Sequence, residues 1–319
     1  MRVVFFGSSS FSLPSMTMLA SSARHELVGV AAQPDRPSGR NRQIQRGVIH
    51  QAALDAGVPV ITPERIGSPE AMAVLASWRP DAIAVASFGQ YIPTRVLALP
   101  PLGVINVHPS LLPRYRGAAP LQWSIACGET ISGVTIFYVV KKMDAGNIIL
   151  QEAHPILPGE TAVELSARFS VIGASLMMQA LDLMEEGRAP SIPQDEALAT
   201  DAPKIAKTDG LIRWSDPAKN LHCRIRGFQP WPGAYMEHNG QVIKVWRAEI
   251  VEGQGAPGQI LETKGAGPVV MTGEKALRLL ELQPEGKKIM SGTAFLCGHP
   301  WSAGGILNDR VNPSGRETL

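Results

Sequence analysis

The residues best suited to chemistry are an amide, an imidazole and a carboxylate: Asn106, His108 and Asp144. Asn106 and His108 close the apolar run Gly103-Val-Ile-Asn-Val-His108 and stand two apart, so on a strand they share one face. Polar side chains on that face of a buried strand need a reason, and the carboxyl ends of parallel strands are where open α/β sheets bind ligands. Taken singly, each residue has a plain alternative. His108 would serve as a core histidine bonded to a backbone carbonyl, Asn106 as a turn cap, and Asp144, ahead of Ala145-Gly146, as a turn former. Together they are residue types able to donate hydrogen bonds to a developing negative charge and to take up a proton.

Other segments carry weaker signals. Gly7-Ser8-Ser9-Ser10 follows an apolar run and would offer free amides to an anion, yet it has neither the Gly-x-Gly-x-x-Gly spacing nor a Gly-Lys-Ser ending. Arg36, Arg40, Arg42 and Arg46 crowd one loop that holds a single acid, Asp35, and suit either phosphate binding or simple solvation. Arg114 and Arg116 would anchor their loop or touch phosphate, and Ser110 would bond within that loop. No metal-ligand cluster is visible, so no metal is expected.

These residues need elements to hold them. Val3–Phe6, Glu26–Ala31, Pro59–Thr62, Asp81–Ala86 and Gly103–Val107 read as strands, alternating with helical patterns over Pro14–Ala23, Gly47–Ala56 and Pro69–Trp78. That alternation predicts an α/β domain with a Rossmann-like, mostly parallel sheet. Gly133–Val140 and Asn147–Glu152 read as two more strands flanking the Asp144 turn, followed by a long helix over Glu160–Glu186. Apolar period is lost around 188–206, where Pro190, Pro193 and Pro203 fall. Beyond it, a helix near Pro217–Arg226 and short glycine-separated strands over Val242–Glu249, Gly258–Leu261, Val269–Thr272 and Ala276–Leu282 predict a small, closed, OB-like β-barrel. The expected organisation is a catalytic domain over 1–187, a linker over 188–206, the barrel domain over 207–312 and a tail over 313–319.

Composition bounds the rest. The 319 residues are 45% hydrophobic, enough for two cores and against a disordered chain. Apolar runs fall short of the roughly 20 residues that span a bilayer. Three scattered cysteines, Cys127, Cys223 and Cys297, signal neither disulfides nor zinc and fit a reducing cytoplasm. A net charge of +2 excludes an indiscriminate polycation. The positive excess falls in the C-terminal part, where residues 206–319 carry 14 basic against 11 acidic side chains.

The strand-end Asn106-Val-His-Pro-Ser-Leu-Leu-Pro113 and the later Asp144-Ala-Gly146 resemble the signature of the folate-dependent formyltransferases. The resemblance extends over nearly the whole chain through Gln33–Arg40, Arg114–Pro120, Lys204–Lys207, Ile225–Ala234 and Leu277–Pro284. The last three segments point to the branch of that family that acts on charged initiator tRNA. Ser8-Ser9-Ser10 stand where the family more often has Thr-Pro-Glu, and Ala145 where it often has Thr; the three catalytic candidates are intact.

The resemblance implies transfer of a formyl group from 10-formyltetrahydrofolate, as co-substrate, to the amino group of methionyl-initiator-tRNA for translation initiation. Asn106, His108 and Asp144 would be catalytic. Phe88, Gly89, Gln90, Tyr91 and Ile92, with Ser110, Leu111, Leu112 and Pro113, would line the folate pocket. Arg36, Arg40, Arg42, Arg46, Lys204 and Lys207 would meet tRNA, with Arg42, nearest the middle of its loop, as the inserted side chain. A monomer is expected.

Overall fold

The computed structural model describes residues 1–38 and 43–308, and the chain divides into two compact units. The first comprises Met1–Pro120, Ile131–Pro155 and Glu164–Pro203; the second comprises Leu121–Thr130, Ile156–Val163 and Lys204–Leu319. No helix among the described residues is long and apolar enough to cross a membrane.

In chain order the first part holds β1 (Arg2–Gly7), α1 (Leu13–Ala20), β2 (Glu26–Ala31), β3 (Arg36–Ser38), β4 (Gln43–Gln45), α2 (Val48–Asp55), β5 (Val60–Ile61), α3 (Pro69–Ser77), β6 (Ala82–Ala86), α4 (Thr94–Leu97) and β7 (Val104–His108). It continues with β8 (Arg116–Gly117), α5 (Pro120–Ala126), β9 (Ile131–Tyr138), β10 (Ile148–Pro155), α6 (Ala162–Glu185) and β11 (Asp201–Ala202). Seven strands form one sheet in the order β10-β9-β7-β6-β1-β2-β5. The five from β7 to β5 run parallel, and β9 lies antiparallel to β7. Helices cover parallel strands on both faces, so such strands read as unbroken apolar runs; Val3, Val4, Phe5 and Phe6 of β1 are all fully buried. Burying each of those phenylalanines contributes about 1.5–3 kcal/mol. α3 starts where its sequence says it should: Ser68 caps it by accepting from Ala71 N at 3.2 Å, with Pro69 in the first position.

β1 and β6 are neighbours although β2 to β5 intervene in the chain, so the strand order reverses between them. At such a switch point the loops leaving the carboxyl ends diverge and open a crevice. Here the loops are joined by serines. Ser12 Oγ donates to Ala86 O at 2.6 Å, Ser8 Oγ to Phe88 O at 3.0 Å, and Ser9 Oγ to Ser87 Oγ at 2.8 Å. β7, beside β6, ends at the same edge.

The second unit contains α5 and, further along, α7 (Ala218–Gly227), β12 (Ala234–His238), β13 (Gln241–Val251), β14 (Ile260–Glu262), β15 (Val269–Met271), β16 (Ala276–Pro284), β17 (Met290–Ser291) and α8 (Gly292–Gly298). Its antiparallel sheet runs β12-β13-β16-β15-β14, with β17 on β16. Irregularities around Trp246 and Arg247 bend β13, as bulges do. The sheet encloses Trp214, Ile225, Leu279 and Phe295. Its edge strands are β12 and β14, and the unit is the small antiparallel β domain expected after α7.

Candidate active site

β7 delivers Asn106 and His108 to the sheet edge. His108 is 4% exposed, and its Nε2 lies 2.9 Å from the carbonyl oxygen of Tyr115. A carbonyl only accepts, so Nε2 carries a hydrogen and Nδ1 is the ring atom whose state is open. The ring stands edge-on to Phe137, 6.2 Å between centroids, which fixes its plane. The half-buried Asn106 carboxamide has no hydrogen-bond partner among the described residues, leaving its donors for a ligand.

The loop after β7 is held from within. Ser110 Oγ donates to Arg114 O at 2.7 Å and Ser110 N to His108 O at 2.9 Å. Thr135 of β9 ties it down: its hydroxyl donates to Ser110 O at 2.6 Å and accepts from Leu112 N and from Gln151 Nε2. Ser110 is fully buried with its hydroxyl engaged, as the local bonding expected for it requires.

Asp144 arrives from the turn between β9 and β10 in the left-handed region, φ 48°. Asp is among the few side chains that tolerate it. A Cβ at Gly146 would lie 1.6 Å from Tyr138 O, so only glycine lets the turn close there. The carboxylate accepts from Gly117 N at 2.8 Å, and its Oδ2 lies 3.7 Å from His108 Nδ1. That distance is close contact but too long for a hydrogen bond. His108 and Asp144 thus meet, although 36 positions apart in the sequence, and Asn106 shares the β7 face with His108.

The remaining predicted residues are placed unevenly. Phe88, Ile92 and Leu112 are buried, Leu111 and Pro113 are half-buried, and Tyr91 is 64% exposed. Gly89 takes φ 78° beside Gln33, whose Nε2 donates to Phe88 O at 3.0 Å. The side chain of Gln90 is spent on its own chain, accepting from Ile66 N and donating to Pro63 O. Arg36 pairs with Glu64 at 2.7 Å, and Arg46 reaches Gln51 at 3.4 Å. Arg40, Arg42 and the tail 313–319 lie outside the described residues. Lys204 and Lys207 are exposed on the second unit. Of the two loop arginines, Arg116 is buried against Gln194 and Glu196 and anchors its loop, while the Arg114 guanidinium lies over the Tyr115 ring.

Two features were not legible beforehand. A cleft of about 290 Å³ at the base of the arginine loop is lined by Ser8, Gln33, Asp35, Arg36, Arg46 and His50. Within it Asp35 accepts from Gly47 N at 2.9 Å and faces His50 Nδ1 at 3.0 Å. The one group of potential metal ligands among the described residues is His25, Asp182 and Glu185. Its carboxylates are bonded to Arg24 and to the Met1 ammonium.

A mostly parallel sheet with an amide and an imidazole at one strand end, and a carboxylate 3.7 Å from the imidazole, is an arrangement suited to group transfer. The formyl transferase family model matches residues 1–181, and that of the formyl transferase C-terminal domain matches residues 204–300. Over 307 residues the chain is 42% identical to the methionyl-tRNA formyltransferase of Syntrophus aciditrophicus, covering 96% of this chain and 98% of that one. Over 309 residues it is 41% identical to the methionyl-tRNA formyltransferase of Moorella thermoacetica, covering 96% and 99%. The chain belongs to the methionyl-tRNA formyltransferase family. The fold is shared more widely. HypX from Aquifex aeolicus, solved with tetrahydrofolic acid, superposes with a TM-score of 0.63 at 19% identity, over 97% of this chain and 51% of that one. The sugar 3N-formyl transferase WlaRD gives 0.64 at 17% identity, over 90% and 99%.

Proposed function

We propose that this chain transfers the formyl group carried on N10 of 10-formyltetrahydrofolate to the α-amino group of methionine esterified to initiator tRNA. What supports the reading is the meeting of His108 and Asp144 at the end of β7 in a chain of this family. The amine nitrogen attacks the formyl carbon, the C=O π pair moves to oxygen, and a tetrahedral intermediate forms. The Asn106 carboxamide and Nδ1–H of His108 in its imidazolium form donate to that oxyanion; a preorganised donor of this kind contributes about 3 kcal/mol. Asp144, fixed by Gly117 N, takes the proton that the amine sheds. A proton then passes to N10, the oxyanion pair re-forms C=O as the C–N10 bond breaks with its electrons going to N10, and tetrahydrofolate leaves. The amine is itself the nucleophile, so no acyl-enzyme is required.

Folate lies along 88–92 and 110–113. Gln90 and Ser110 shape that pocket rather than contact the ligand with their side chains, since both side chains bond their own chain. Arg36, Arg40, Arg42 and Arg46, with Lys204 and Lys207, meet tRNA phosphates. Residues 1–187 carry the chemistry and the arginine loop, 188–206 link the domains and carry Lys204, 207–312 add the rest of the tRNA contact, and the enzyme works as a cytoplasmic monomer without a metal. The test is to incubate the protein with 10-formyltetrahydrofolate and initiator methionyl-tRNA and chromatograph the released amino acid. N-formylmethionine is expected, with no product from free methionine or an amino-sugar nucleotide. Transfer to those small amines instead, or release of free formate, contradicts the proposal.

A further inference from the structure

The main chain of Asp144 is gripped by a residue 50 positions away. Gln194 Nε2 donates to Asp144 O at 2.8 Å and to Gly146 O at 2.7 Å, bracketing the turn. Its Oε1 accepts from Arg116 Nε at 3.1 Å and from Arg116 Nη2 at 2.8 Å. With both donors on carbonyls and its acceptor on a guanidinium, the carboxamide fits one way round only, because a flip would set oxygen against oxygen. Arg116 is buried and also pairs with Glu196 at 3.0 Å, and Glu196 reaches Lys142 at 2.6 Å on the approach to the turn. The Arg116 guanidinium, with the Lys142 ammonium, holds the Glu196 carboxyl down at about 2, so this cluster stays charged at neutral pH.

The same stretch of chain holds the other side of the site. Thr200 Oγ1 accepts from Tyr115 N at 2.9 Å, Thr200 O from Arg116 N at 2.8 Å and Ala202 O from Ala119 N at 3.2 Å, while β11 runs parallel to β8. Ile192 and Ile148 exchange backbone bonds at 2.8 and 3.0 Å beside the Asp144 turn. Residues 192–202 therefore fasten, at once, the backbone of Asp144 and the loop that gives Tyr115 O to His108 and Gly117 N to Asp144.

We propose that Gln194, oriented by Arg116, is a positioning residue that sets the Asp144 carboxylate against His108 and the reacting amine. The inference rests on the reading of Asp144 as proton acceptor. It is tested in the full-length enzyme with Gln194→Ala, Gln194→Glu, Asp144→Asn and the Gln194→Ala/Asp144→Asn double variant, using 10-formyltetrahydrofolate and methionyl-tRNA, with thermal unfolding followed in parallel. Gln194→Ala is expected to lower kcat about 100-fold, as a misplacement of about 1 Å does, with both KM values within about twofold. Gln194→Glu keeps the length and the contact with Arg116 but loses both donors, and falls as far; it carries the test should the alanine variant not fold. The double variant is no slower than Asp144→Asn, because losses acting through one group do not add. A kcat for Gln194→Glu within about threefold of the parent, a loss confined to KM, or full additivity with Asp144→Asn overturns the proposal. Parental turnover by Asp144→Asn instead sinks the proton-acceptor reading itself, whatever Gln194 does.

Discussion

The backbone nitrogen of Gly117 donates to Oδ2 of Asp144 across 2.8 Å, so a residue of β8 fixes a carboxylate 27 positions further on. Gly117 takes φ 121°, and a Cβ there would stand 2.6 Å from Ala202 O. Gly117→Ala must therefore move the amide off the carboxylate. A kcat lowered about 100-fold is expected, together with a stability loss of about 1–3 kcal/mol from the strained backbone. Steady-state kinetics and urea unfolding check the two effects separately.

Thr135 is the one hydroxyl that bonds Ser110 O, Leu112 N and Gln151 Nε2, in a fully buried position. Thr135→Val keeps the shape and removes this partner from Ser110 O and Leu112 N. Unsatisfied buried groups cost about 1–3 kcal/mol each, and because Gln151 also bonds Leu112 O the expected total is about 3 kcal/mol. A lowered urea midpoint with an unchanged m-value, accompanied by a raised KM for the folate, is the expected pattern.

Burial lowers the basicity of three histidines. His25 is shifted down by desolvation and then by the Met1 ammonium, His222 by desolvation and then by Arg226, and His238 by desolvation. The unfolded chain then binds protons that the native chain does not, so this stability is fully present above about pH 6.5 and is lost as pH falls below it. The thermal midpoint is expected to drop between about pH 7.5 and 5.5, and His222→Gln to reduce the drop. A midpoint that rises on acidification contradicts the assignment.

Binding carried by phosphates weakens linearly in log K against log salt. Arg46→Ala and Lys207→Ala are each expected to lower that slope by about 1 for initiator tRNA while leaving folate affinity unchanged. Filter binding across a salt series reads this directly.

Much of the catalytic unit could be read from the chain, because strands buried on both faces appear as apolar runs; β1, β2, β6 and β7 lie within a residue or two of where those runs predict them. β12 and α8 escaped. Ala234–His238 follows directly on Pro230-Trp-Pro-Gly233, which reads as a turn, and Gly292–Gly298 is too short to show a helical period. In the site, the strand period set Asn106 and His108 on one face, whereas Asp144 read alone is a turn former, and the family resemblance is what joined it to the other two. Gln194 was invisible. Its segment bonds main-chain groups rather than packing an apolar face, so 192–202 read as an interval without structure even though Ile192, Gln194, Thr200 and Ala202 all bond into the first unit. The internal bonds of Gln90, whose amide is used by Ile66 N and Pro63 O, were equally invisible.

The central claim is that Asp144 takes the proton of the attacking amine, and Asp144→Asn tests it while preserving the shape that accepts from Gly117 N. Single-turnover formyl transfer, with enzyme in excess over methionyl-tRNA and 10-formyltetrahydrofolate saturating, isolates the chemical step from binding and release. The expected result is a rate lowered about 10²–10⁴-fold with the affinity for methionyl-tRNA retained. A rate equal to that of the parent enzyme would contradict the account.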